Sequence, residues 1–373
     1  MGGRCAVTGP IVVIGAGLAG AAAAWRLAAQ GREVVLVEAV APAHVGGSSH
    51  GSARIFRHAY PDPFWVDLTV RALDGWHELE AAIGRSVLTT TGGLDFGPRH
   101  DLPAVAAAMA ACGVGSELLP PQAARERWPH LAVDGPVLHH TEAGVIDAAV
   151  AVEAMVAEAQ RHGARLLLDR VVAVEVAFDG ATVTLEQAGP LSASTAVVAA
   201  GAWLPEIAPR LPAAIADRLP PLVVTQQQVF HFPFPEPPAR PEDWPVFIHQ
   251  GEHMVYSLPG GRDAGGAGFK IAEHDAGILT TASTRDGVVD PASRARVVDL
   301  VRRLLPAVDP SPYAETTCLY TSTPTEDFVI DRVGPVVIAS PCSGHGAKFA
   351  PLIGDLIAAA VAGDEPIPRF RLR

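Results

Sequence analysis

The chain has 373 residues, 49% of them hydrophobic and 18% charged, with a net charge of −12. That length suits about two domains, or one large core with an insertion, and the apolar content excludes a disordered chain. The acidic balance, with no Lys/Arg run longer than Arg302-Arg303, argues against nucleic-acid and anionic-membrane partners.

From the N-terminus, Gly2 lacks the downstream Ser/Thr of a myristoylation signal. The apolar run Pro10 to Ala24 is broken by glycines and reads as strand, turn and helix rather than a signal peptide. Ile11–Ile14 suits a buried parallel strand. Gly15-Ala16-Gly17-Leu18-Ala19-Gly20 is a GxGxxG, Ala21–Gln30 is helix-forming, and Glu33–Val37 is a second strand closing on Glu38. In this βαβ context Gly15, Gly17 and Gly20 let backbone approach a pyrophosphate at a helix N-terminus, and Glu38 can accept from ribose hydroxyls. Glu rather than Arg there argues against NADP, while NAD and FAD both remain open.

Further on, Ala149–His162 has helical spacing, and Ala164–Val176 and Ala181–Leu185 read as strands. Ala196–Ala200 is a buried strand ending at Gly201, the kind of strand end where an open α/β sheet meets its ligand. From Leu219 the texture changes. Leu222–Phe232 and Val246–Leu258 look antiparallel, Ser293–Leu305 is an amphipathic helix, Val336–Ala339 is a strand and Leu352–Ala362 a closing helix. Dinucleotide-type segments thus recur at the start, middle and end, with material of another kind inserted between them.

Cys5, Cys112, Cys318 and Cys342 are too few and scattered for a disulfide framework and hold no CxxC pair. They suit a reduced, cytoplasmic setting, and no metal site is expected. No apolar stretch reaches the roughly 18 residues of a membrane-spanning helix. Of the 28 basic residues only Lys270 and Lys348 are lysines. A compact ammonium in a tight site is not replaceable by Arg, which marks both positions.

Gly46-Gly47-Ser48-Ser49-His50-Gly51-Ser52-Ala53-Arg54-Ile55-Phe56-Arg57-His58-Ala59-Tyr60 closely resembles a segment of the monomeric sarcosine oxidase and N-methyltryptophan oxidase family. Three more segments agree in order and spacing: Tyr256 through Gly268-Phe269-Lys270 to His274; Cys318-Leu319-Tyr320-Thr321; and Ser343-Gly344-His345-Gly346-Ala347-Lys348-Phe349. The family oxidises secondary or N-methyl α-amino acids with FAD joined to a Cys thioether. The resemblance implies an α/β fold, a Rossmann-like FAD-binding domain (1–84, 141–217 and 311–373) with an inserted antiparallel-sheet substrate domain (85–140 and 218–310). It also implies a monomer acting on a small amino acid and O2.

By that resemblance, Arg57 and Lys348 hold the substrate carboxylate, a role that suits the planar guanidinium, and Arg54 lies against the flavin ring. Lys270 stands beside the ring's N5, where its charge stabilises superoxide as it forms from O2. Tyr256 and His274 line the cavity, with His274 shaping it rather than acting as a strong base. Tyr320, Thr321 and Gly344 lie around substrate or flavin. Ser49, His50 and Gly346 belong to the cofactor segments, Val172 holds the adenine, and Cys318 carries the flavin. Cys342 is expected to pack near the ring, and Cys5 and Cys112 have no role. One departure stands out, Ala347 in place of the family's usual Phe, which widens one wall.

Three other classes compete. Gly47-Ser48-Ser49-His50-Gly51 fits the GxSxG of serine hydrolases, which needs a strand before it and a helix after it. The βαβ unit also suits an NAD-dependent dehydrogenase, or a non-catalytic flavoprotein with no use for paired substrate cations. Within the oxidase class, a cyclic imino acid such as pipecolate, proline or a piperideine carboxylate is the alternative substrate.

Overall fold

The computed structural model describes residues 9–373. Gly2 and Cys5 lie outside them. A six-stranded sheet forms one half, in the order Val329–Val333, Val336–Ser340, Thr195–Val198, Ile11–Ile14, Val34–Glu38, Arg165–Leu168. Its members pair in parallel except the antiparallel edge pair at Val329–Val333 and Val336–Ser340. Both faces are covered, so the strands Ile11–Ile14 and Val34–Glu38 are buried throughout. Such strands read as unbroken apolar runs, and this is why they stand out in the sequence.

Helix Leu18–Ala29 packs between helices Ala148–Arg161 and Ala350–Ala362 on one face of this sheet. A 21-residue helix, Pro63–Ile83, joins the same core through Trp65, Leu68, Trp76 and Leu79. It starts where Asp62 accepts from the Phe64 amide at 3.0 Å, with Pro63 at its first position. It ends at Gly84, whose φ of 67° is the left-handed stop that glycine permits. The sequence reading did not anticipate this helix.

The second half is a nine-stranded, mostly antiparallel sheet. Its longest strand, Val223–Pro233, lies beside Gly268–Glu273, followed outward by Met254–Pro259, Val246–Gln250, Gly93–Phe96 and Val137–His140. The expected single run Val246–Leu258 is a hairpin, Val246–Gln250 and Met254–Pro259, turning at residues 251–253. Strand Ala314–Ser322, placed by the sequence reading with the FAD-binding part that resumes at 311, pairs along its whole length with Val223–Pro233 of the second sheet. Residues of both halves are therefore brought onto one common surface, where the cavity lies.

Among the described residues no helix is long and apolar enough to cross a membrane, and no group of three or more His, Cys, Asp or Glu is arranged to hold a metal.

Candidate active site

A cavity of about 670 Å³ runs between the two sheets. At one end is the glycine turn. Gly15 has φ 97°, and a Cβ on it would stand 2.5 Å from the Ala199 carbonyl oxygen; a Cβ on Gly20 would stand 1.8 Å from the Gly15 oxygen. The turn can close only with hydrogen at both positions. Gly17 precedes the helix and gives it no side-chain cap, so apart from the Leu18 amide the first-turn amides are left for an anion. Ser49 Oγ accepts from the Leu18 amide at 3.0 Å, fixing the 46–51 loop against the turn. Glu38 accepts from the Ala16 amide at 2.8 Å and the Val40 amide at 3.1 Å, which places a carboxylate at the end of its strand on the cavity wall.

Further along, Gly201 (φ 53°) opens the short turn after strand Thr195–Val198 and lines the same wall. Ser48 Oγ donates to the Leu319 carbonyl at 2.8 Å, which ties the loop to the strand carrying Cys318. Cys318 is buried on that wall. Arg54 donates to the carbonyls of Ser48, His50 and Ala53, and so also holds its own loop in shape.

Lys270 is 5% exposed and donates to the Ala53 carbonyl at 3.0 Å. Burial, reinforced by the Arg54 cation, pulls its ammonium down to about 7. The charge on this side chain therefore titrates near neutrality.

At the other end, Lys348 is 3% exposed and donates to Tyr60 Oη at 2.9 Å and to the His345 carbonyl at 2.8 Å. Trp76 Nε1 donates to the Lys348 carbonyl at 2.8 Å. Burial, then the Arg57 cation, holds the lysine well below the usual ammonium range. The Arg57 guanidinium lies 4.6 Å from the Tyr60 ring centre. Arg57 is half-buried and, among the described residues, has no hydrogen-bond acceptor and no ion-pair partner. Burial pushes Tyr60 up to about 12, so its hydroxyl keeps its proton.

His274 lines the same cavity, its ring 5.5 Å from that of Tyr320. Burial lowers it to about 4, helped by the Arg57 and Lys348 cations, so it is neutral at pH 7. A Cβ on Gly344 (φ 72°) would meet the Tyr320 ring at 2.4 Å and the His274 ring at 2.8 Å. Tyr256 and Tyr320 are both raised by burial.

One cavity thus brings together Arg54, Arg57, Lys270, Lys348, Tyr256, His274, Tyr320, Gly344, Gly346, Cys318, Gly15, Gly17, Glu38, Ser49 and Gly201. Gly20 lies behind the turn rather than on the wall. His50 stands beside Arg54 and Lys270 and is lowered to about 4 by burial, but its ring does not line the cavity. Val171 lines the cavity, while its neighbour Val172 occupies the register break before Ala173. The loop at Gly47–Gly51 runs into strand Arg54–Phe56 and not into a helix, so it is not a serine-hydrolase elbow. Tyr60, which closes the recognised segment, and Trp76 were given no role by the sequence reading; both contact Lys348.

The parallel sheet, its glycine turn and the cation-lined cavity at the strand ends define an oxidoreductase built around a dinucleotide cofactor. Residues 10–360 match the family model of FAD dependent oxidoreductases, DAO, and the chain belongs to that family. It is an FAD-dependent oxidase. Monomeric sarcosine oxidase of Streptomyces avermitilis is 32% identical, the match covering 93% of this chain and 92% of the relative. N-methyl-L-tryptophan oxidase of Yersinia pestis is 29% identical, with 96% of each chain covered. Among solved structures, NikD, an unusual amino acid oxidase essential for nikkomycin biosynthesis, has a TM-score of 0.84 at 22% identity, covering 98% of this chain and 97% of that one. L-proline dehydrogenase from P. horikoshii has a TM-score of 0.82 at 22% identity, covering 97% and 96%.

The residues present fit FAD. The constricted Gly15–Gly20 turn, the uncapped helix and the inward-facing Glu38 suit its dinucleotide half, and the Arg54, Lys270 and Cys318 wall suits its ring.

Proposed function

We propose that this enzyme oxidises secondary or N-methyl α-amino acids, binding the substrate carboxylate between Arg57 and Lys348. The observation that carries the reading is the unsatisfied Arg57 guanidinium beside the buried Lys348 ammonium, with Tyr60 between them. A planar donor and a point charge around one carboxylate fix its position and leave the amine free to turn toward the cavity centre.

FAD, when bound, supplies the two-electron acceptor: a carbon next to the neutral amine gives up a hydride, the amine becomes an imine, and O2 takes the electrons and is released as hydrogen peroxide. Cys318, which lines the wall, would hold the cofactor as a thioether. Arg54 and Lys270 place positive charge along that wall, and Lys270 stabilises oxygen as it becomes anionic. His274 is neutral and shapes the cavity with Tyr256 and Tyr320. The scattered cysteines support a reduced, cytoplasmic setting.

Ala347 on the cavity wall supports a second reading within the same class, a cyclic imino acid as substrate. The methyl side chain leaves room that a ring would fill. Peroxide release across a panel of N-methyl and cyclic amino acids tests both readings. Turnover of primary amino acids alone would overturn the substrate class.

A further inference from the structure

An ammonium group has three N–H donors and no acceptor. Lys348 has two of its three placed, one on Tyr60 Oη at 2.9 Å and one on the His345 carbonyl at 2.8 Å. The third is left for a substrate carboxylate, and its direction is set by the other two. His345 supplies one of those acceptors with its main chain and reaches the other with its side chain, where Nδ1 lies 3.2 Å from Tyr60 Oη. The proposed reaction gives this imidazole no role.

The far side of the ring fixes its proton. His345 Nε2 lies 3.1 Å from the Glu326 carbonyl oxygen. A carbonyl only accepts, so the hydrogen is on Nε2. Burial, reinforced by the Lys348 cation, lowers His345 to about 3, so the ring is neutral at pH 7 and holds a single proton. With that proton on Nε2, Nδ1 is a bare acceptor. Burial pushes Tyr60 up to about 12, so its hydroxyl keeps a proton, and Nδ1 is where that proton goes. The lone pairs of Oη then face Lys348. Tyr60 is an acceptor for the lysine and not a further donor into the cavity.

The Glu326 carbonyl is itself held in place. Glu326 has φ 60° without being glycine, and Ser343 on the other side of the site has φ 42°. Such backbone persists only where its surroundings enforce it. Here the Glu326 amide donates to the Thr323 carbonyl at 3.2 Å, and Thr323 Oγ1 donates to the Asp327 carbonyl at 2.8 Å. Arg369 donates to Asp327 at 3.0 Å and to Asp62, two positions after Tyr60, at 2.6 Å. The imidazole packs edge-on against Trp65, 4.7 Å between ring centres, with Phe328 at 5.0 Å. It is enclosed as well as bonded at both nitrogens.

We propose that His345 is a positioning residue for the substrate carboxylate: its Nε2–H tautomer, set by the Glu326 carbonyl, takes the Tyr60 proton and leaves Tyr60 as the acceptor that aims Lys348. This rests on the reading of Lys348 as a carboxylate-binding cation.

Acetate, which carries the carboxylate and no amine, is the probe, titrated against the holoenzyme by the change in flavin absorbance. Lys348→Met should lose acetate affinity; if it does not, the carboxylate-site reading fails. Tyr60→Phe and His345→Leu should each weaken acetate about tenfold, the worth of one hydrogen bond to a charged group. Because the imidazole acts through the hydroxyl, the double variant should be within about twofold of either single one. His345→Asn, whose amide oxygen can stand where Nδ1 stands, should stay within about threefold of the wild type. A histidine that merely supports the fold would give losses that add. Additive losses, or unchanged affinity in His345→Leu while Lys348→Met is impaired, would overturn the inference. Neutron diffraction from deuterated wild-type holoenzyme needs no variant to fold. Deuterium is expected on His345 Nε2, with the Tyr60 hydroxyl directed at Nδ1; deuterium on Nδ1 would overturn the inference.

Discussion

The ammonium of Lys348 is bonded to the hydroxyl of Tyr60, 288 positions earlier in the chain. That bond joins the segment carrying Arg57 to the segment that starts the last helix, and it sets the spacing of the two cations proposed to hold the substrate carboxylate. Tyr60→Phe removes one of the two acceptors of Lys348 while keeping the ring under Arg57. A hydrogen bond to a charged group is worth ~1.5–3 kcal/mol. The expected result is a fall in kcat/KM of roughly ten- to a hundredfold, carried mainly by KM, in steady-state assays of peroxide release. An unchanged KM would show that the bond does not position Lys348 for substrate.

Lys270 gives a prediction in two parts. Lys270→Met should slow the reaction of reduced enzyme with O2 far more than the reduction of enzyme by substrate, as read by stopped-flow absorbance of each half-reaction. The wild type should also show a pH dependence in the oxygen half-reaction. The lysine is held down near 7, so its cationic form is present below that pH and is lost as pH rises through it. The oxidation rate should fall across that range in the wild type and stay flat in Lys270→Met. Equal losses in both half-reactions would reject the assignment.

The proposed anchoring role of Cys318 is tested by a simple fractionation. After acid precipitation the flavin colour should remain with the wild-type protein and appear in the supernatant for Cys318→Ser. Cys342 lies on the same wall, and its sulfur accepts from the Thr321 amide at 3.4 Å. Cys342→Ser should leave the flavin attached. Full extraction of flavin from the wild type would show that the cofactor is held without a covalent bond.

Gly344 tests the shape of the substrate end. Alanine there would carry a Cβ into the Tyr320 and His274 rings on a backbone with φ 72°. The left-handed conformation alone costs about 1–3 kcal/mol for a residue with a side chain, and the rings must move as well. Gly344→Ala is expected to lower thermal stability and substrate affinity together while FAD stays bound. A variant with wild-type KM would show that Tyr320 and His274 do not bound the substrate.

Much of the first half of the fold was legible because its strands are buried on both faces and its glycines cannot be replaced. Ile11–Ile14, the GxGxxG and Glu38 announce their own geometry. Lysine scarcity likewise singled out Lys270 and Lys348 before any fold was known. Helix Pro63–Ile83 carried readable signals as well, an Asp62-Pro63 start, a Gly84 stop and apolar residues at helical spacing. The pairing of strand Ala314–Ser322 with Val223–Pro233, across the division at 310 and 311, was hidden because it is a long-range fact that local pattern does not encode.

The central strand Ile11–Ile14 has as one of its two neighbours Thr195–Val198, about 180 residues later, and the cavity wall is finished only by residues beyond 340. At translation rates of about 5–20 residues per second, the nascent chain waits roughly ten to forty seconds before that pairing can form. The cavity therefore cannot close around a cofactor until residues beyond 340 have left the ribosome.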